Sequence, residues 1–197
     1  DATDVTLHLQ AGGATIGGLS SEFSKTKTKE TLVDDSSISG KELAKAASSK
    51  HLLIYATPVV KEDVHISGLS KITVKIASSK PAANLSVWLV SLPWKDGKGV
   101  RITENIITRG WADLQNYKSI SKSKPLKPGK FYEMTFDLQP DDQIIKKGQQ
   151  IGLMIFSSDT QFTLLPKPGT ELTVDLDKTK LTLPIVGGAD AFKKATE

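Results

Sequence analysis

A hydrolytic serine would stand in Gly-x-Ser-x-Gly, where small residues let a sharp strand-to-helix turn expose the hydroxyl. The chain offers only the first half of that motif, Gly68-Leu69-Ser70-Lys71-Ile72, and Ser70 opens an alternating stretch in which it is expected as an ordinary solvent-facing residue. The three histidines, His8, His51 and His65, are far apart in sequence, with no two of them at the i, i+2 or i, i+4 spacing that brings ligands together on a strand or helix. Each is expected as an isolated sheet histidine. Carboxylates cluster at Asp34-Asp35, Asp141-Asp142 and Asp175/Asp177, but none belongs to a twelve-residue calcium loop. They read as turn and surface groups, Asp141-Asp142 in particular as a turn because it follows Pro140. Gly12-Gly13 and Gly17-Gly18 neither precede Gly-Lys-Thr/Ser nor open a helix, so they do not cradle phosphate. No catalytic residue, cofactor or metal site is therefore assigned.

The aromatic residues carry more information. Trp88, in LSVWLVSL, falls between Val87 and Leu89 and is expected in the core, whereas Trp94 and Trp111 follow Pro93 and Gly110 and suggest plugs at loop ends. Flat rings on a sheet can stack on sugars, so a carbohydrate- or other ligand-binding module stands as the alternative function; its mark would be a row of coplanar exposed aromatics. The segment Arg109-Gly110-Trp111-Ala112-Asp113 favours an interface instead, because tryptophan and arginine are enriched where protein surfaces meet. Arg109, Trp111 and Asp113 are thus the candidate domain interface, expected on a loop.

The elements that must position these residues are mostly strands. Val5, Leu7 and Leu9 alternate with polar residues, as do Ile72, Val74 and Ile76, which is the period of a sheet with one wet face. Further strands are expected at 51–56, 63–67, 85–92, 100–103, 131–138, 150–157, 162–165, 171–176 and 181–186. About ten short strands separated by Gly, Pro, Asn, Asp and Ser point to an antiparallel sandwich or barrel. Helix is scarce: Ser39-Gly-Lys-Glu42 has capping-box spacing and opens a two- to three-turn helix. A second amphipathic piece, ADAFKKATE, follows Gly187-Gly188 as a tail that either frays or docks. Asp96-Gly97 between apolar runs signals a hairpin. Residues 118–130, with Pro125, Pro128 and Gly129, cannot be a central strand, and residues 20–50 read as an excursion outside the core.

Composition narrows the class. The 197 residues carry 26 Lys+Arg against 22 Asp+Glu, a net charge of +4 and a pI near 9.1. Only Arg101 and Arg109 are arginines, and the lysines are scattered, so a nucleic-acid stripe is not expected. The absence of cysteine excludes disulfides, thiolate metal sites and a cysteine nucleophile, and fits a reducing compartment. No apolar run reaches the ~18 residues of a membrane span, and the first residues lack signal-peptide character. Because residue 1 is Asp rather than Met, a segment processed or cut from a longer chain is expected.

The ordered stretches HLLIYATPVVKEDVHISGLSKITVKIASSKPAANLSVWLVSLP, ITRGWADLQNY, KPLKPGKFYEMTFDLQPDDQIIKKGQQIGLMIF and LTLPIVGG resemble the C-terminal β-sandwich domain of Xaa-Pro dipeptidyl-peptidases, bacterial intracellular serine peptidases that share it with the cocaine-esterase group of α/β-hydrolases. The resemblance runs from about residue 50 to 188; Gly148-Gln149-Gln150 departs from a Gly-His-Arg common in relatives, so no role of that histidine carries over. It implies an all-β, jelly-roll-like antiparallel sandwich, galactose-binding-domain-like, with one or two short helices. Residues 1–49 would be a connection and variable excursion packed on the same domain, 50–188 the sandwich core and 189–197 a C-terminal tail. It further implies a non-catalytic domain, inactive alone, that packs on the hydrolase domain of its parent and helps shape the substrate entrance. The triad would lie upstream of residue 1. The parent would be a cytoplasmic homodimer acting on proline-containing peptides, with no nucleic-acid or membrane partner.

Overall fold

The computed structural model describes residues 1–197 and contains thirteen strands and two short helices. Local alternation explains the strands that have one wet face. In β6 (Lys71–Ser78) Ile72, Val74 and Ile76 are buried while Lys71 is exposed, and in β1 (Ala2–Gln10) Val5, Leu7 and Leu9 are buried between polar neighbours. The remaining strands are β2 (Gly17–Ser20), β3 (Lys29–Val33), β4 (Leu53–Ala56), β5 (Val64–Gly68), β7 (Asn84–Leu92), β8 (Ile106–Asp113), β9 (Phe131–Asp137), β10 (Asp141–Ile145), β11 (Gln150–Phe156), β12 (Glu171–Asp175) and β13 (Lys180–Val186).

The hydrogen-bonded path runs β3-β12-β6-β13-β1-β2-β4-β11-β7-β8, with β9 on β6 and with β5 joining β10 to β13. All pairs are antiparallel except β2 with β4. The chain of pairings folds back on itself at β2, so a layer built around β6, β13 and β1 faces a layer of β4, β11, β7 and β8. Their inner faces share one core, in which Leu7, Ile66, Ile72, Val74 and Leu183 meet Leu53, Val87, Leu89, Leu153 and Ile155. The second layer is covered on its outer face too. Trp88, Val90, Met154 and Phe156 pack beneath Leu43 and Ala44 of α1 (Gly40–Lys45), which accounts for the unbroken apolar runs of β7 and β11: a strand buried on both faces has no wet positions to alternate. The architecture is therefore an all-β sandwich.

The capping box that opens α1 is formed. The Ser39 hydroxyl accepts from the Glu42 amide, and Glu42 accepts from the Ser39 amide. The helix is nevertheless shorter than its motif suggests, since Ala46 is already extended. No helix is long and apolar enough to cross a membrane.

Several expectations change. Residues 1–49, expected as a connection and variable excursion packed on the same domain, contain the expected β1 and α1 and also β2 and β3; β1 is paired on both sides, and Leu32 of β3, within the stretch expected outside the core, is fully buried. Polar composition misled here because β3 offers only one inward apolar residue. Residues 189–197 form most of a docked helix, α2 (Gly188–Thr196), with Phe192 only 1 % exposed. Positive φ at both Gly187 and Gly188 lets the chain reverse into it, and a Cβ at Gly188 would stand 2.3 Å from the Thr3 hydroxyl. Asp96-Gly97 makes no two-residue hairpin; residues 93–105, including a 3-10 turn at Ile102–Glu104, link β7 to β8. Residues 100–103 and 162–165 are not strands, and Asp141-Asp142 begins β10 rather than a turn. Ser70 is 1 % exposed, its carbonyl accepting the Leu138 amide.

Candidate functional site

The segment holding Arg109, Trp111 and Asp113 is a strand, not a loop. β8 ends the pairing path, so its three alternate side chains share one face of an edge strand, the outer face of the second layer. Cross-strand register fixes their neighbours: Trp88 lies opposite Arg109, Ser86 opposite Trp111, and Asn84 opposite Asp113. The free edge of β8 is covered by the turn after β9. The Gln139 amide donates to the Arg109 carbonyl at 2.8 Å, and the Thr108 hydroxyl donates to the Gln139 carbonyl at 2.5 Å. Gly110 permits that approach, since a Cβ there would stand 2.5 Å from Leu138 Cδ2 and 3.1 Å from Leu138 Cα.

One of the three, Trp111, converges with Trp88 of β7 on a group the sequence did not single out. Asp159, only 2 % exposed, accepts the indole N–H of Trp88 at 2.8 Å and that of Trp111 at 3.0 Å, both on Oδ2. Burying a carboxylate is costly unless it is hydrogen-bonded, and these two donors supply that compensation. Asp159 is held in turn. Asp34, also buried, accepts from the Ser158 amide at 2.9 Å and its hydroxyl at 2.7 Å, while the Ser86 hydroxyl donates to the Ser157 carbonyl at 2.7 Å. Residues 157–159 thereby join the amino-terminal segment to β7 and β8. The signal for this junction was present as Ser157-Ser158-Asp159 directly after an apolar strand, but its partners lie between 48 and 124 residues away in sequence.

From Asp159 the chain turns, with the Phe162 amide donating to the Asp159 carbonyl, and lays the Phe162 ring on Trp111 at 5.1 Å and 25°. The Arg109 guanidinium sits between two rings, 4.6 Å from Phe162 and 5.4 Å from Trp88. Asp113 plays a different part: it caps the 3-10 turn Leu114–Asn116, accepting the Gln115 amide at 2.9 Å. The surface around Arg109 and Trp111 is mixed, with polar residues such as Lys41 and Lys118 among exposed apolar ones. Phe162, Leu165 and Ile102 are about half exposed, while Leu164 is 88 % and Ile120 95 % exposed. The three tryptophans form no row of exposed coplanar rings, because Trp88 is buried beneath α1, Trp94 packs on the same cluster and Trp111 is overlaid by Phe162.

The titratable groups with shifted ionisation lie elsewhere. Burial, then the hydrogen bond to Glu30, pushes the Tyr55 phenol far up; its hydroxyl donates to Glu30 at 2.7 Å, a carboxylate that also accepts the Gly12 and Gly13 amides. A hydrogen bond from His65 at 2.5 Å holds the Asp142 carboxyl down. His51 is bonded to the Val33 carbonyl, and His8 packs edge-on against Phe23, so the histidines do not meet. No three His, Asp or Glu side chains converge as metal ligands.

The fold recurs in larger hydrolases. It superposes on an aminopeptidase from a marine-sediment thaumarchaeon with a TM-score of 0.74, at 16 % identity, over 94 % of this chain and 37 % of that one. An α-amino acid ester hydrolase gives 0.69 at 16 % identity, over 93 % of this chain and 36 % of that one. The class is thus a β-sandwich of the kind that forms one part of such enzymes. The chain belongs to the X-Pro dipeptidyl-peptidase C-terminal non-catalytic domain family, whose model it matches over residues 1–193. It is 55 % identical over 188 residues to a protein of Rhodopirellula baltica provisionally named a Xaa-Pro dipeptidyl-peptidase, covering 95 % of this chain and 30 % of that protein. A protein of Bacillus cereus with the same provisional name is 40 % identical over 79 % of this chain and 26 % of its own length. The chain thus spans about a third or less of these curated relatives.

Proposed function

We propose that this sandwich is the non-catalytic domain of a serine-type Xaa-Pro dipeptidyl-peptidase, a parent enzyme that releases Xaa-Pro dipeptides from the N-termini of proline-containing peptides. The observation that carries this is a pairing of extents. Nearly the whole chain matches the non-catalytic family, yet it spans only 30 % of a relative 55 % identical to it. The remainder of such a parent has room for the α/β-hydrolase domain, whose serine would attack the scissile carbonyl with a histidine as general base. The parent is proposed to be a cytoplasmic homodimer.

The sandwich's own work is to pack on that hydrolase domain and help shape the substrate entrance. The face of β8 is the proposed docking surface, with Trp111, Phe162 and Leu164 as contacts. Supporting it are an aromatic pair locked in place from behind by Asp159 and a rim of apolar side chains that water solvates poorly. Two measurements test these statements. A Xaa-Pro chromogenic substrate should be turned over by the intact parent and not by the 197-residue chain; turnover by the chain alone refutes the non-catalytic role. Hydroxyl-radical footprinting should oxidise Phe162 and Leu164 less in the parent than in the isolated chain. Equal oxidation refutes docking through β8.

A further inference from the structure

Beside the stacked rings, a cleft of about 280 Å³ opens between α1 and β8, lined by Lys41, Trp88, Ile102, Ile106, Arg109 and Asp159 among others. Its charges are unbalanced. Arg109 makes no ion pair and no side-chain hydrogen bond, although its guanidinium is half-buried and held between Trp88 and Phe162. Asp159, the cleft's one carboxylate, spends Oδ2 on the two indoles. Lys41 stands at the rim, 4.0 Å from Asp96, a carboxylate that Lys45 also engages. Two cations against one carboxylate leave the cleft lining net positive, since the neutral indole donors do not cancel the Asp159 charge, and the Arg109 fork of donors has no acceptor of its own.

We propose that this cleft receives the carboxylate of one Asp or Glu side chain from the hydrolase domain, paired to Arg109 and flanked by Lys41. The inference rests on the docking surface proposed above and adds the chemistry of its partner. Three observations select that occupant. A guanidinium fixed by stacking pairs with a carboxylate through two parallel hydrogen bonds at little conformational cost, which a lysine could not match. Ile102 in the cleft lining and Phe162 over Arg109 are apolar and about half exposed, which suits burial beneath a protein surface better than capture of a free ion. Most of the parent's length lies outside this chain, as its 30 % share of the Rhodopirellula relative indicates.

Zero-length carbodiimide coupling in the intact parent is the direct test. Lys41 should be joined to an Asp or Glu of the hydrolase domain, a product that 1 M salt suppresses and that Arg109→Met reduces about tenfold, the loss expected for one charge-assisted pair. Arg109→Met keeps an apolar stem between the rings, and the melting temperature of the 197-residue chain carrying it checks that the fold survives. Recovery of the internal Lys41–Asp96 product alone would overturn the inference. So would saturable binding of inorganic phosphate to the isolated chain that Arg109→Met abolishes, because that marks a free-anion site. Hydrogen exchange of residues 106–113 in the parent separates the two proposals. If Leu164→Asp raises exchange and Arg109→Met does not, docking stands and the carboxylate partner falls; if neither raises it, docking falls as well.

Discussion

Gly110→Ala is the sharpest perturbation of the β8 face, and its cost follows from geometry. The new Cβ would stand 2.5 Å from Leu138 Cδ2, which could swing, but also 3.1 Å from Leu138 Cα and 3.3 Å from the Asp137 carbonyl, which could not. Relief requires β8 to part from the 137–139 turn. That movement strains the Gln139 to Arg109 bond of 2.8 Å and the Thr108 to Gln139 bond of 2.5 Å. Overpacking of this kind costs roughly 1–3 kcal/mol and each lost hydrogen bond about 1 kcal/mol, offset by less than ~1 kcal/mol from the stiffer unfolded chain. The net is about 3 kcal/mol, or roughly 6–12 °C in melting temperature for a domain of this size. Urea unfolding of the 197-residue chain measures it. Leu138→Ala removes one of the clashing atoms, so the double variant should recover about 1 kcal/mol relative to additivity. A Gly110→Ala protein within about 0.5 kcal/mol of the parent sequence, with amides of 106–113 still protected, would refute the close-approach explanation.

Three further outcomes are expected. Asp159→Ala leaves the Trp88 indole N–H buried without an acceptor and frees that of Trp111; it should destabilise the chain by about 2–4 kcal/mol in denaturant titration, with Asp159→Asn costing less because an acceptor oxygen remains. Phe192→Ala should cost about 3–5 kcal/mol and release the amides of α2 to fast exchange, whereas a freely fraying tail would show no change in melting temperature. The Tyr55 phenol is pushed up in the folded state, so it keeps its proton while the unfolded chain loses it above pH ~10. The stability this group contributes is therefore present below that pH and lost as pH rises, and Tyr55→Phe should flatten the alkaline limb of a stability–pH curve measured by denaturant unfolding.

Much of the secondary structure was legible because its causes are local. The buried positions of β1 and β6 alternate in the sequence as they do in the sheet, and the Ser39–Glu42 spacing that predicts a capping box forms one. Errors fell where a segment's state depends on distant chain. β3 is mostly polar and becomes a strand because β12 pairs with it, while 162–165 is apolar yet turns because the Asp159 carbonyl accepts the amides of Phe162 and Thr163. Asp96-Gly97 has hairpin chemistry, but residues 93–105 instead cross over the outer face with Trp94 packed on it.

The sequence by itself determined the all-β class, the family, and Arg109 and Trp111 as residues worth following. A two-residue period, a cap spacing and an ordered set of motifs are properties of contiguous residues, and they survive without coordinates. Only the tertiary structure decided that these residues stand on an edge strand and that Asp113 is committed to a local cap. It also decided that one oxygen of Asp159 serves two indoles, and that Arg109 lies between rings with its donors free. Those facts depend on which strands become neighbours and on where a turn some 50 residues away in sequence is pinned. Such choices are made by burial and hydrogen-bond satisfaction over the whole chain, and no local pattern encodes them.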